Sequence, residues 1–297
     1  MTLVDNITYT KGATFKMKSY CIKINDDKII DYLLNKIEKI DFNNIYYVSK
    51  EFKIYKNVCL HYIGEDLLGF HNFMSELITE TIIKHYEMKI LTRIVNSNYF
   101  YFDSLERKII LENCEELIKS EEIKKKETLY NEISKYIEEN KSIIMEGVIN
   151  FRIKEYIKIL DSIVDMAVNQ YVIEKEYTEF ISLLRVYINT TESETKSLHL
   201  IYMNSESIIL DENQNIVSVT NNAFNAKYLS DITFSSNDYA LNTLLSLLPK
   251  RLDIHIIDKE DEFIETLKLI FENRVNICKD CNICKTYKMI NNVKILH

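Results

Sequence analysis

Proline and glycine are nearly absent: one Pro and four Gly in 297 residues. That scarcity excludes Gly-rich phosphate loops, dinucleotide fingerprints, collagen-like runs and long flexible Pro/Gly linkers. No Gly-x-Ser-x-Gly nucleophile elbow occurs either. Long hydrophobic runs are also missing. No stretch of about 18 uncharged apolar residues exists, so no membrane span is expected. The start, Met1-Thr-Leu-Val-Asp-Asn6, has no basic segment ahead of an apolar core, so export by a signal peptide is not expected. Positive charge is in deficit, with 37 Lys+Arg against 45 Asp+Glu and a formal net charge of −8. Nonspecific nucleic-acid binding depends on a basic surface, so no nucleic-acid partner is expected. The run Lys124-Lys125-Lys126 lies among glutamates and reads as a solvated helix face.

What remains is an ordinary globular composition. Hydrophobic residues make up 46% and charged residues 28%, enough apolar content for one large core or two smaller ones. Six cysteines in a chain with no export signal are expected to be reduced thiols or metal ligands in a cytoplasmic setting.

The pattern along the chain predicts an α+β fold. Residues 13–24 alternate apolar and polar as a half-buried strand does. Asn25-Asp26-Asp27 then offers a cap for a helix through Ile40. Two strands are expected near 44–55 and 57–63. Helical spacing follows from Glu65 to about Asn96, and a charged helical stretch from Ser104 to Asn140 is broken near Ser120. Lys141 to Thr190 has one glycine and apolar residues at most angles of the helical wheel, the pattern of a long buried central helix. Beyond it, short strands at 198–203, 207–211, 216–219, 252–257 and 274–277 alternate with helices at 238–248 and 259–272. They compose a small mixed C-terminal sheet with helices. The domain reading is an N-terminal α+β unit over 1–140 and a second unit over 141–297, packed through the long helix.

The polar exceptions on the long helix group together. At about 100° per residue, Asp161, Asp165, Asn169, Glu176 and Glu179 fall within an arc of roughly 80°. Arg152, Glu174 and Arg185 lie on the far side. Asp161, Asp165 and Glu176 could act as a general acid/base group or bind a hard cation. The plainer expectation is structural: buried ion pairs and helix caps for Asp161, Asp165 and Glu176, and buried ion pairs or hydrogen bonds to other elements for Arg152, Asp165, Glu174, Glu176 and Arg185.

The run Phe151-Arg152-x3-Tyr156-x8-Val164-Asp165-x-Ala167-Val168, continued by Glu174-Lys175-Glu176-Tyr177-x-Glu179-Phe180-x2-Leu183-Leu184-Arg185, resembles the core block of the YtxC-like family of sporulation proteins. Two further blocks fit in the same order. These are Asp238-Tyr239-Ala240-Leu241-x3-Leu244-x2-Leu247-x-Pro249-Lys250 ending in Ile254-His255, and Arg274-Val275-x-Ile277-Cys278-x2-Cys281-x2-Cys284. The resemblance covers about residues 140–285. It implies a role connected with endospore formation and supplies no biochemical activity and no catalytic residue.

Cys278, Cys281 and Cys284 form C-x2-C-x2-C, a spacing at which thiolates converge on one soft metal ion or cluster. Buried, idle thiols are the bland alternative, but the polar neighbours Lys279, Asp280, Asn282 and Lys285 do not form a core stripe. A zinc site needs a fourth ligand. His255 is the first choice, and His199, His297, Cys21, Cys59, Cys114 or a second chain are the alternatives. Taken singly, Cys21, Cys59 and Cys114 read as core or partly buried residues, and His61 as a sheet histidine. His71 and His85 form no Glu-x-x-His or His-x3-His pair, so a helix-borne metal site is not expected.

Three functions follow. One is a noncatalytic sporulation-associated protein, with an unidentified protein partner and a zinc site at the cysteines. A second is an iron–sulfur or thiol redox protein using the same triplet. The third is an enzyme built on Asp161, Asp165 and Glu176.

Overall fold

The computed structural model describes residues 17–39, 44–217 and 235–294. The chain divides into two compact units, Met1–Ile173 and Glu174–His297. Both are α+β.

The first unit opens with β1 (Met17–Ile24), α1 (Asp27–Glu38), β2 (Ile45–Glu51) and β3 (Lys56–Ile63), then α2 (Leu67–His85), α3 (Glu87–Asn98), α4 (Ser104–Ser120) and α5 (Glu122–Glu139). It continues with β4 (Ser142–Ile144), α6 (Met145–Phe151) and the start of α7 (Lys154–Thr190). The strands form a sheet in the order β2-β3-β1-β4, antiparallel except for the parallel β1–β4 pair. Alternation puts Tyr20, Ile22 and Ile24 of β1 into the core, where they join Leu60 of β3 and Phe70, Met74 and Ile78 of α2. Local chemistry sets the ends: Asp26 caps α1, and Asp103 with Glu106 forms a capping box at α4.

The segment read as one helix from Lys141 is three elements. Ser142–Ile144 pairs in parallel with Cys21–Lys23, and α6 and α7 follow it. The 37-residue α7 is buried along one stripe in the first unit, through Tyr156, Leu160, Ile163, Val164, Ala167, Val168 and Tyr171. Further on, Ile181 and Ile188 are buried, whereas Ile173, Phe180, Leu183 and Val186 are exposed. An all-round apolar pattern therefore does not become all-round burial here, because the second core takes only one turn-spaced row of this helix.

The second unit contains β5 (Ser197–Met203), β6 (Glu206–Leu210), α8 (Ser236–Leu247), β7 (Arg251–Ile256), α9 (Glu262–Phe271), β8 (Val275–Ile277) and α10 (Asn282–Lys294). Its sheet runs β6-β5-β7-β8, with β5–β7 and β7–β8 parallel and β5–β6 antiparallel. The strand expected at 216–219 extends beyond the described residues; within them, Ile216 bridges Leu210. Ser235 and Asp238 box the start of α8, and Leu248 ends it in a left-handed conformation (φ 44°) before Pro249, which cannot continue a helix. One face of the sheet presents Leu198, Leu200, Tyr202, Leu252 and Ile254 to α8, α9 and the last turns of α7. The opposite face carries a much smaller apolar cluster: Ile201, Met203, Leu210 and Ile257 around Cys284. Among the described residues, no helix is long and apolar enough to cross a membrane.

Candidate metal centre

The smaller face of the second sheet holds the chemistry. In β7 the apolar Leu252, Ile254 and Ile256 alternate with Asp253 and His255, so period-2 geometry sends His255 to the face away from the larger core. β8 runs beside β7, and the Cys278 N–H donates to the Ile254 carbonyl at 2.9 Å just past the strand's end. The chain then turns into α10. Cys281 stands at the cap position, its carbonyl accepting from the Lys285 N–H at 3.0 Å, and Cys284 sits one turn along.

These placements bring His255, Cys278, Cys281 and Cys284 together, with one ligand atom from each within 4.8 Å of all the others. Cys284 Sγ lies 3.7 Å from Cys278 Sγ and 3.8 Å from Cys281 Sγ. His255 Nδ1 is 3.3 Å from Cys284 Sγ and 3.4 Å from Cys281 Sγ. His255 and Cys284 are buried, and Cys278 and Cys281 are half-buried.

Electrostatics differentiates the thiols. Burial, reinforced by the Cys281 and Cys284 sulfurs, pushes the Cys278 thiol up to about 12. At Cys281 burial pulls the same way, but the Cys284 and Ile283 N–H groups at the α10 start and the neighbouring thiols outweigh it and lower the value. His255 is lowered by burial and then by the adjacent His199, which keeps its imidazole neutral as a metal ligand requires. Lys285 and Lys288 each stand 3.9 Å from Asp280, so the nearby positive charge is shared with a carboxylate.

A second tier of polar groups surrounds the cluster. His255 Nε2 meets His199 Nδ1 at 3.1 Å. Asp253, opposite His199 in the β5–β7 register, accepts two-pronged hydrogen bonds from Arg251 and another from Asn276. Burial opposes the Asp253 charge, but Arg251 and Asn276 prevail and hold its carboxyl below the usual range. An open cleft of about 370 Å³ borders the cluster, lined by these side chains, Cys278 and Cys281.

The other candidates do not join this site. Cys21, Cys59 and Cys114 belong to the first unit, and His297 lies outside the described residues. His61 pairs with Ser19 (2.8 Å), His71 contacts Tyr20 and Ser134, and His85 packs edge-on against Tyr32.

The carboxylates of the acidic stripe have separate surroundings. Asp161 accepts from Asn98 at 3.2 Å and Asp165 from the Tyr99 hydroxyl, both in the first unit, whereas Glu176 is exposed in the second. Asp165 raises the Tyr99 hydroxyl, aided by burial. Arg152 is exposed over the Tyr136 ring, Glu174 is exposed, and Arg185 bonds the Leu269 carbonyl and pairs with Glu272 at 3.1 Å. Asp161, Asp165 and Arg185 thus hydrogen-bond to other elements, and none of these residues forms a buried ion pair.

The buried pair lies elsewhere. Lys125, read as solvated, is 2% exposed, and its ammonium lies 2.8 Å from Glu87, which also accepts from the buried Tyr156 hydroxyl. A signal was present in the sequence: Lys125 precedes Leu129, Ile133 and Ile137 at four-residue steps, on the buried stripe of α5.

Fold and cluster together describe a two-unit α+β protein with a Cys3His constellation on the second sheet. The profile of the YtxC-like family matches residues 72–276, and the chain belongs to that family. It is similar to "Uncharacterized protein YtxC" of Bacillus subtilis (strain 168), 20% identical over 218 residues that cover 69% of this chain and 76% of that one. No solved structure matches. The matched stretch includes His255 and ends at Asn276, so the resemblance drawn from Cys278, Cys281 and Cys284 reaches past it.

Proposed function

We propose that Cys278, Cys281, Cys284 and His255 hold a structural zinc ion that fastens α10 over the thinly covered face of the second sheet. The observation that carries this reading is the spacing of the ligand atoms. Zinc–sulfur bonds of about 2.3 Å in a tetrahedron require sulfurs about 3.8 Å apart, and a zinc–nitrogen bond of about 2.0–2.1 Å puts nitrogen about 3.6 Å from each sulfur. The sulfur separations of 3.7 and 3.8 Å and the nitrogen–sulfur separations of 3.3 and 3.4 Å fit one ion. An iron–sulfur cluster spreads its thiolates over two or more irons, which favours wider spacing. Four protein ligands leave no open position on the ion, as in structural rather than catalytic zinc sites. The physical need is plain: the apolar cluster beneath α10 is small, and a metal replaces hydrophobic burial where burial is scarce.

Around that centre the chain works as a noncatalytic protein in endospore formation, through a protein partner, in keeping with the resemblance to the sporulation family. Metal analysis of anaerobically purified protein tests the centre. One zinc per chain, lost in Cys284→Ser, is the expected result. A brown, iron-containing preparation would move the assignment to a cluster, and metal-free protein would end it. Deleting the gene in its host tests the cellular role: spore yield should fall, and parental yield would remove the sporulation reading.

A further inference from the structure

The central strands of the first sheet carry a second sulfur pair, remote in sequence from the zinc centre. Cys21 of β1 and Cys59 of β3 are direct cross-strand partners, 38 positions apart in the chain. The Cys21 N–H points away from β3 and donates to the Lys141 carbonyl at 2.9 Å, on the β4 side. Cys21 and Cys59 therefore occupy a non-hydrogen-bonded site of the antiparallel ladder, where Cα atoms approach to about 4.5 Å and side chains are closest. That spacing lies within the range of about 4.4–6.8 Å that a disulfide bridges without backbone movement. The two sulfurs stand 2.6 Å apart, and both residues are half-buried, on the face opposite Tyr20, Ile22 and Leu60.

We propose that Cys21 and Cys59 form a reversible dithiol–disulfide couple, oxidised by small-molecule disulfides. One thiolate attacks the small disulfide, forming a mixed disulfide and releasing one small thiolate. The second cysteine, as thiolate, then attacks the protein-side sulfur and releases the other. The protein loses two protons and two electrons, and one small disulfide becomes two thiols. Burial and the neighbouring Cys59 thiol raise Cys21 to about 12, so the thiolate is scarce at neutral pH and exchange is slow while both partners are reduced. The cross-strand register makes the second step intramolecular, which favours the closed disulfide over the mixed one.

The test equilibrates reduced, purified protein with excess oxidised glutathione, blocks remaining thiols by alkylation, and maps linked peptides by mass. The expected product is a Cys21–Cys59 crosslink, with the loss of two alkylatable thiols and full recovery with dithiothreitol. Cys59→Ser should abolish the crosslink and leave Cys21 free or glutathionylated. If wild-type protein keeps Cys21 and Cys59 fully alkylatable at equilibrium, or accumulates only glutathione adducts, the couple does not exist. Peptide mapping reads this pair separately from Cys278, Cys281 and Cys284, so the zinc assignment can fail without affecting the result.

Discussion

At the scale of single residues, the second nitrogen of His255 matters as much as the first. With Nδ1 facing the sulfurs and bound to the proposed zinc, Nε2 would carry the proton and donate it to His199 Nδ1, 3.1 Å away. A hydrogen bond at the far nitrogen fixes the tautomer and ring orientation of a metal-ligating histidine, and its loss typically costs 10–100-fold in metal affinity. His199→Ala should therefore weaken zinc binding about 10–100-fold while saturating at the same stoichiometry, as read by competition with a chromophoric chelator. Unchanged affinity would reduce His199 to a packing residue. The alternation of Asp253 and His255 with apolar neighbours was visible in the sequence, so their common face was legible. That His199 lies on the same face within hydrogen-bonding reach was not, because the parallel β5–β7 register follows from pairing across more than fifty residues.

Among the elements, the join of α3, α5 and α7 depends on the Glu87–Lys125–Tyr156 group. All three side chains are buried, so removing one partner strands the others away from water. Burial and the Glu87 carboxylate drive the Tyr156 hydroxyl far above its ordinary value, so it remains a neutral donor. Lys125→Ala should destabilise the protein by about 3–5 kcal/mol, seen as a lower urea midpoint. The triple replacement Lys125→Met, Glu87→Leu, Tyr156→Phe should regain much of that loss, since a packed apolar set of similar volume avoids the desolvation cost. A Lys125→Ala midpoint equal to wild type would mean that water reaches the group. Some helix ends were marked beforehand: the stop before Pro249 by proline, and the break near Ser120, where the hydroxyl turns back to the Leu117 carbonyl. The stretch read as one helix from Glu65 to about Asn96 divides at Tyr86 into α2 and α3, with no side-chain cap to announce it. α10 and the three-residue β4 escaped, because β4 is defined by its parallel pairing with β1 and α10 begins inside the cysteine motif itself.

For the molecule as a whole, the two units differ in how they are held. The first has an extensive apolar core that includes Tyr20, Ile22 and Ile24 of β1; among the described residues, the second covers one sheet face with α8, α9 and the last turns of α7, and the other with α10 and a few aliphatics. Removing the proposed zinc with a chelator should therefore cost amide protection in α10 and β8, with β1 and β3 unchanged, as followed by hydrogen exchange. Uniform loss in both units, or none in α10, would contradict the fastening role.

The sequence by itself determined the α+β class, most of the helices and strands, the family resemblance and the convergent spacing of Cys278, Cys281 and Cys284. Each of these rests on periodicity, caps or short spacers, interactions closed within a few residues. Only the tertiary structure decided that α7 is buried on one side, that Lys125 rather than the acidic stripe forms the buried ion pair, and that His255 rather than His199 faces the sulfurs. Those outcomes depend on strand register and on which faces meet, which are settled by contacts between distant segments that no local pattern records.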